Sequence, residues 1–258
     1  MRVICLIPSI TETLIECGIN VVGRTRYCIH PAGIVKSIAI VGGTKRVDAA
    51  QFAALKPDLI NLEREENTKE TAQSLYDLKL NVHVIHVTNL QSLAIELKKI
   101  ALVFSNSQLD KLSMEVAALA KKSKLHHPDL RKNFLIKACF RTEDIQNFFQ
   151  LESQVESLLS SDQMNYVIWK KPWMMIGPGT YIEDVLAFAG FRLGHQSPEK
   201  YPKTEVLPSD HLLLFSSEPY PFLSEWEAIK KNYPQSLLVD GEKISWFGIR
   251  SLRFLASL

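Results

Sequence analysis

Residues 2–12 read Arg-Val-Ile-Cys-Leu-Ile-Pro-Ser-Ile-Thr-Glu, a short apolar run followed at once by a helix-start signal. The apolar run 2–7 predicts a buried strand. Ser9 and Glu12 have the spacing of a capping box, in which the serine accepts from the third helical amide and the glutamate reaches back. Gly18 is placed to end the helix that follows. The stretch therefore predicts one strand–helix unit of an α/β protein.

The same alternation of strands and helices continues through the first third of the chain. Short apolar runs bounded by turn residues predict strands, and the segments between them predict helices. The predicted strands are 21–23, 37–41, 59–62 and 82–87, and the predicted helices are 48–55 and 68–78. This alternation predicts a parallel sheet with helices on its faces.

The pattern becomes wholly helical between residues 90 and 124. Ser105, Asn106 and Ser107 interrupt it, so we expect one helix over 90–104 and a second over 108–124. The second helix would be about 25 Å long at 1.5 Å per residue. Since the chain contains no Gly/Ser-rich linker, this helix is the expected connection between an N-terminal lobe (1–106) and a C-terminal lobe (126–258), and we assign it to 107–125.

The second half of the chain repeats the logic of the first. A strand is predicted over 166–169, and the turn Gly177-Pro178-Gly179 leads into a second capping box formed by Thr180 and Glu183. Further strands are predicted from residue 191 and over 212–215. The segment 141–163 fits this repeat least well and is interpreted as an insertion.

Composition excludes several classes of protein. The chain has 258 residues, of which 46% are hydrophobic and 22% charged, so it is neither disordered nor fibrous. Lys and Arg number 30 against 28 Asp and Glu, and the net charge of +2 gives no reason to expect a nucleic-acid partner. Because no apolar run approaches about 18 residues, no membrane insertion is predicted.

The N-terminus and the cysteines bear on the compartment. The opening apolar stretch is shorter than the apolar region of a signal peptide, so the sequence as written predicts a cytoplasmic protein, or a periplasmic one if a signal peptide has been removed. Cys5, Cys17, Cys28 and Cys139 form no C-x-x-C pair, so all four are expected to be free thiols.

No catalytic motif is found. The chain has no G-x-S-x-G nucleophile elbow and no Walker phosphate loop. Gly177 and Gly179 before a capped helix could hold an anion, although a plain turn explains them equally well. Cys28 and His30 lie two residues apart and could reach one ion from a strand, but they lack the spacing of a zinc site, so no metal site is predicted.

Several segments resemble the substrate-binding proteins of the cobalamin and iron-chelate import systems, which are also called helical-backbone metal receptors. The matching segments in the first half are 2–12, 22–25, 41–44 and 55–60. Those in the second half are 169–174 with Gly177, 216–222, and 240–242 with Ser245 and Trp246, and they are most similar to a cobalamin-binding-like subgroup. The resemblance runs over nearly the whole chain.

The resemblance implies two Rossmann-like α/β lobes with central parallel sheets, joined by a single long helix and holding a corrinoid or another metal chelate between them. It also implies that one acidic residue on each lobe docks onto basic residues of an ABC-type membrane permease. Glu63, or the nearby Glu65 and Glu66, and Glu218 fall where such acids would lie. The protein would then be a binding protein and not an enzyme.

The loops at the carboxyl ends of the strands are expected to face the ligand. This set is rich in aromatic residues and poor in charges, which suits a large flat macrocycle bordered by amides. The expected ligand contacts are Pro8, Ser9, Tyr27, Gly43, Thr44, Lys171, Trp173, Met174, Tyr220 and Trp246. For Trp173 and Trp246, packing inside the core is the alternative interpretation.

Two other functions remain open from the sequence. One is a cytoplasmic two-lobed enzyme that uses a nucleotide or a phosphorylated small molecule at residues 177–180. The other is a cytoplasmic module that keeps the fold as a platform for a protein partner.

Overall fold

The structure is a computed structural model that describes residues 1–43, 49–122, 128–140, 148–159 and 161–258. It divides into two compact units. The first contains Met1–Ala120 and Trp246–Leu252, and the second contains Lys121–Ser245 and Arg253–Leu258. The chain therefore returns to the first unit near its C-terminus before it ends in the second. Among the described residues, no helix combines the length and apolar character that crossing a bilayer requires.

The first unit is built on a five-stranded sheet in the order β3-β2-β1-β4-β5. Its strands are β1 (Arg2–Cys5), β2 (Asn20–Arg24), β3 (Ala39–Ile40), β4 (Leu59–Glu63) and β5 (Val82–Ile85). Its helices are α1 (Pro8–Glu16), α2 (Ala32–Val35), α3 (Ala49–Leu55), α4 (Lys69–Asp77), α5 (Leu90–Phe104) and α6 (Ser107–Lys121). Every strand pair is parallel, as the alternation of strands and helices predicted.

The core of this sheet comes from the apolar runs that predicted its strands. Ile4 lies on β1 and Leu6 directly follows it, and Ile60 and Leu62 lie on the neighbouring strand β4. Phe52, Leu75 and Val41 complete a cluster that is almost fully buried. Because β1 lies in the middle of the sheet, the loop after it is held by neighbours on both sides.

The second unit contains a mixed sheet in the order β11-β10-β6-β7-β9, with β8 also paired to β6. Its strands are β6 (Gln163–Trp169), β7 (Trp173–Met175), β8 (Arg192–Leu193), β9 (Lys203–Thr204), β10 (Leu212–Ser216) and β11 (Ser236–Val239). Its helices are α7 (Pro128–Ala138), α8 (Phe148–Leu158), α9 (Tyr181–Phe188), α10 (Trp226–Asn232), α11 (Gly241–Ser245) and α12 (Ile249–Ala256), with a 3-10 turn at Phe222–Glu225. The last helix crosses the boundary between the two units.

The predicted α/β fold with parallel sheets is confirmed, with one difference in the second unit. Strands β6, β8, β10 and β11 pair in parallel, but β7 pairs antiparallel with both β6 and β9. Only residues 170–172 connect β6 to β7. A connection this short permits a hairpin and excludes the crossover that a parallel pair requires.

Of the two predicted capping boxes, only the one at α9 supplies a side-chain cap. Helix α1 begins at Pro8 with Ile7 as its cap residue and has no side-chain cap bond, so the predicted Ser9–Glu12 capping box is wrong. Proline takes the first helical position, which places Ser9 inside the helix. At α6, Asn106 Oδ1 accepts from Leu109 N and acts as the cap. At α9, Thr180 caps the amide of Glu183 as predicted.

Candidate ligand-binding surfaces

Pro8 and Ser9 lie beyond the carboxyl end of the central strand β1 in the first unit. Pro8 is half-buried, but Ser9 is only 5% exposed. The backbone oxygen of Ser9 accepts a hydrogen bond from Thr13 Oγ1 at 2.8 Å. Of the two residues predicted to contact a ligand here, Pro8 is therefore the accessible one.

Tyr27 lies after the next strand, β2, and presents an exposed ring. Its side chain is 54% exposed, and the Arg26 guanidinium carbon lies 5.8 Å from the ring centroid. A Cβ at Gly43 would lie 3.6 Å from Tyr27 Cε2 and from Arg26 Nη2, so these three residues form one continuous surface. Thr44, the other contact predicted here, lies outside the described residues.

Trp246 belongs to the first unit, although the predicted boundaries placed it in the C-terminal lobe. Its half-buried indole packs edge-on against His30, with ring centroids 5.6 Å apart. The Arg250 guanidinium lies over the same indole at 5.7 Å. Arg250 in turn donates to both carboxylate oxygens of Glu12, from Nε at 2.9 Å and Nη2 at 2.6 Å. The tryptophan is thus held from two sides, by an imidazole and by an anchored cation.

Cys28 and His30, the pair considered as metal ligands, occupy different environments. Cys28 is fully buried, and its sulfur lies 3.2 Å from both Thr11 Oγ1 and Thr25 Oγ1. Burial raises the pKa of this thiol, which keeps it protonated and a poor ligand. Within the described ranges, no group of three or more His, Cys, Asp or Glu side chains is placed to hold a metal ion.

Glu63 ends β4 and was expected to dock onto a permease. Its side chain is only 3% exposed. One carboxylate oxygen accepts from the backbone amides of Glu65 and Glu66 at 2.5 and 2.9 Å, and the other lies 3.4 Å from His86 Nδ1. This carboxylate therefore organises its own loop and is not accessible to a partner. Of the three acids considered at this position, Glu65 is the exposed one.

In the second unit, the β6–β7 hairpin carries the predicted contacts Lys171, Trp173 and Met174. Lys171 lies at the exposed tip with a positive φ of 68°, and Met174 is half-buried on β7. Trp173 stacks on Phe222 with centroids 6.2 Å apart and meets Phe215 edge-on at 6.0 Å. It therefore belongs mainly to the aromatic core, which was the alternative interpretation from the sequence.

Trp169, at the end of β6, was not among the predicted contacts, yet it is 42% exposed. Its ring meets Tyr220 edge-on at a centroid distance of 5.4 Å. Tyr220 donates from its hydroxyl to Glu225 Oε1 at 2.5 Å, and Lys170 pairs with the other oxygen of that carboxylate. The bond to Glu225 raises the pKa of Tyr220, and the Lys170 ammonium lowers the pKa of Glu225. Trp169, Tyr220 and the nearby Lys171 give an aromatic surface with a cation beside it.

Glu218, the acid expected to dock from the second unit, is half-buried. Its Oε1 accepts from Ser245 Oγ at 2.7 Å. A Cβ at Gly241 would lie 3.1 Å from the same oxygen, so the glycine lets α11 begin directly against this carboxylate. Glu218 remains partly accessible, unlike Glu63.

The turn at Gly177–Thr180 was considered as an anion site, but neighbouring groups of the protein already occupy it. A Cβ at Gly177 would lie 1.9 Å from the backbone oxygen of Glu199, so the glycine is required for close backbone packing. The Gly179 amide donates to Glu183 Oε2 at 3.1 Å, and the Glu183 amide donates to Thr180 Oγ1 at 3.2 Å. A phosphate would have to displace a carboxylate of the same helix, so this turn gives no support to the nucleotide-using enzyme.

A scan against models of known protein families finds no match. Solved structures match over almost the full chain. The periplasmic vitamin B12 binding protein BtuF of Vibrio cholerae aligns with a TM-score of 0.70 at 15% identity, covering 99% of this chain and 94% of that one. The periplasmic heme-binding protein RhuT from Roseiflexus sp. RS-1 aligns with a TM-score of 0.69 at 15% identity, covering 99% and 95%.

A third match is to a second heme-binding protein. A periplasmic heme binding protein from Pseudomonas aeruginosa aligns with a TM-score of 0.69 at 18% identity, covering 99% of this chain and 90% of that one. The chain therefore has the fold of the periplasmic B12- and heme-binding proteins, as the sequence resemblance implied.

Proposed function

We propose that the protein is a non-enzymatic binding protein that holds a flat metal chelate, with a corrinoid as the first choice and heme or another iron chelate as the nearest alternatives. The observation that carries the proposal is the fold match over 99% of the chain to proteins whose ligands are vitamin B12 and heme. Binding of this kind makes and breaks no bond. It relies on ring stacking and on a few placed polar groups.

Two aromatic surfaces support this function, one in each unit. In the first unit, Tyr27 is 54% exposed beside Arg26, and Gly43 lies alongside its ring. In the second unit, the 42% exposed Trp169 meets Tyr220. A planar ligand that covers these rings removes their apolar surface from water, and this burial favours binding.

The cations beside both surfaces refine the expected ligand. Arg26 lies next to Tyr27, and Lys171 lies at the tip of the hairpin that carries Trp169, and both side chains are exposed. Cations next to aromatic faces suit a chelate that carries carboxylate or phosphate groups at its edge. A corrinoid with its phosphate-bearing side chain and a porphyrin with its carboxylates both meet this description.

The transport role is the second part of the proposal. A chelate-binding protein of this fold would deliver its ligand to an ABC-type permease through accessible acids, for which the exposed Glu65 and the half-buried Glu218 are the candidates. The role requires the protein to meet the permease outside the cytoplasm, so the compartment belongs to the proposal. If Glu65→Lys and Glu218→Lys leave transport by a reconstituted permease unchanged, this part of the proposal fails.

The binding surfaces can be tested by equilibrium dialysis with cyanocobalamin and with hemin. We expect Tyr27→Ala and Trp169→Ala each to weaken binding by about tenfold, which is the loss of one aromatic contact of about 1.4 kcal/mol. Tyr76→Ala in the first unit and Tyr201→Ala in the second are matched controls, because these rings are 49% and 40% exposed and lie elsewhere. Equal losses in the controls would contradict the assignment of the surfaces.

A further inference from the structure

Strand β5 forms one edge of the sheet in the first unit, and its backbone faces outward in a defined pattern. The amide of Ile60 donates to Asn81 O at 2.9 Å, and the amide of Arg64 donates to Ile85 O at 3.1 Å. These bonds turn the odd-numbered residues of β5 toward β4. Since backbone groups alternate in direction along a strand, Val82 and Val84 direct their N–H and C=O groups away from the sheet.

A groove runs along the same edge, between β5 and α4. It encloses about 410 Å³, and its apolar lining includes Leu62, Ala72, Tyr76 and Val84. Val84 is paired with Leu62 across the sheet, so both side chains lie on the face that α4 covers. Tyr76 is 49% exposed and Val84 41% exposed, which leaves the apolar side of the groove open to solvent.

This edge lacks three of the features that usually protect an exposed strand. Proteins block such edges with lysine, proline, bulges or very short strands. The segment from Asn81 to Ile85 contains neither lysine nor proline, and its pairing with β4 runs without a shift in register. At the opposite edge of the sheet, β3 is only two residues long.

We propose that β5 pairs antiparallel with β5 of a second copy of this chain, so that two five-stranded sheets join into one. A two-fold interface requires a surface that complements itself. The segment Val82-His83-Val84 reads the same in both directions, so pairing about His83 sets Val82 against the partner's Val84. This register satisfies the outward N–H and C=O groups of both residues in both copies, and it brings β-branched side chains together.

The surroundings of β5 fit the same two-fold arrangement. Helix α4 of each copy would lie antiparallel to the other on one face of the joined sheet, which aligns the helix dipoles favourably. Exposed Lys69 in the first turn of α4 would approach the partner's Asp77 in the last turn. His83 would lie on the axis, where its Nδ1 lies 3.3 Å from Asn61 Oδ1 of the same copy.

The assembly can be tested by sedimentation equilibrium of the full chain. We expect a dimer at about 100 μM, with dissociation on dilution, and we expect Val84→Lys to raise the dissociation constant at least tenfold. Val206→Lys is the matched control, because Val206 is 72% exposed in the other unit and should leave the dimer intact. A wild-type monomer at this concentration, including one whose β5 binds a peptide of another protein, overturns the proposal.

A cross-link tests the register and does not depend on the folding of Val84→Lys. Residues directly opposite in a non-hydrogen-bonded antiparallel pair have Cα atoms about 4.5 Å apart, which a disulfide can span. We expect His83→Cys to form a disulfide-linked dimer under mild oxidation. The exposed Lys79→Cys, four residues away, should remain mostly monomeric. Equal cross-linking at both positions would overturn the proposed register.

Discussion

Glu12 and Arg250 form a two-point ion pair that holds the chain's C-terminal return against helix α1. The Arg250 guanidinium donates to both carboxylate oxygens at 2.9 and 2.6 Å, and the Glu12 side chain is only 6% exposed. Ile249 N also donates to Thr13 Oγ1 at 3.0 Å. Because Glu12 and Arg250 lie far apart in the sequence, their ion pair holds the segment that carries Trp246 against helix α1.

Removing the arginine should therefore be costly. Arg250→Ala leaves the Glu12 carboxylate buried without its partner, and we expect a loss of about 3 kcal/mol in unfolding free energy, measured by urea denaturation. Arg192→Ala is the matched control, because Arg192 makes the same two-point contact with Asp162 but is 62% exposed. The control should change little. Equal losses in both variants would show that burial does not decide the effect.

Glu63 should prove to be a structural residue of the 63–67 loop. Glu63→Gln replaces one acceptor oxygen with an NH₂ group, which cannot accept from the amides of Glu65 and Glu66. We expect a loss of about 1–2 kcal/mol in thermal or chemical unfolding. The exposed Glu65→Gln, two residues away, should stay within about 0.5 kcal/mol of the wild type. A stable Glu63→Gln protein would contradict the buried role.

The buried thiol of Cys5 should make stability depend on alkaline pH. Burial, with a smaller contribution from Cys28, raises the pKa of Cys5 from 9.0 to about 12. A raised folded-state pKa means that the unfolded chain releases this proton first, so the stabilisation is complete below pH 9 and is lost as the pH rises toward 12.

We expect Cys5→Ala to flatten this decline by up to about 1.4 kcal/mol per pH unit between these limits. Urea titrations at several pH values measure the slope. At pH 8, the native wild type should also react slowly with a thiol reagent, since all four cysteines are buried. Rapid labelling of the folded protein, or an unchanged slope in Cys5→Ala, would contradict this account.

Trp169 and Trp173, which are four residues apart, should behave differently. Trp173 stacks on Phe222 in the aromatic core, so Trp173→Ala should cost about 3 kcal/mol in unfolding free energy. Trp169 is 42% exposed, and Trp169→Ala should change stability little while it weakens chelate binding. Chemical denaturation and ligand dialysis on the same two variants separate the roles. If Trp169→Ala lowered stability and Trp173→Ala weakened only binding, the assignment of Trp169 to the binding surface would be wrong.

Much of the fold follows from local sequence signals. Strand–helix alternation predicted the parallel sheet of the first unit, and helix 90–104 has the predicted ends. Boundaries failed where a signal was ambiguous. The strand expected over 37–41 shortens to Ala39–Ile40 at the sheet edge, where few neighbours hold it. Helix α7 was not predicted, because its apolar residues follow no clear helical period.

The binding surfaces were less predictable than the fold. Periodicity identifies which residues lie near strand ends, but it does not separate a ring in the core from a ring in water. Trp173 and Trp169 occur in one motif, and only their packing distinguishes them. Likewise, nothing local to Arg250 indicates its contact with Glu12. The exposed Arg26 beside Tyr27 could have been found, since the polar residues just before Tyr27 favour exposure of that tyrosine.

The most direct test of the central proposal is an absorbance titration of the purified full chain with cyanocobalamin, hemin and a ferric chelate. We predict that at least one of these ligands shifts its visible spectrum on binding, saturates at one ligand per chain, and has a Kd below about 10 μM. No binding tighter than about 100 μM to any of them would contradict the proposal that this fold serves as a metal-chelate receptor here.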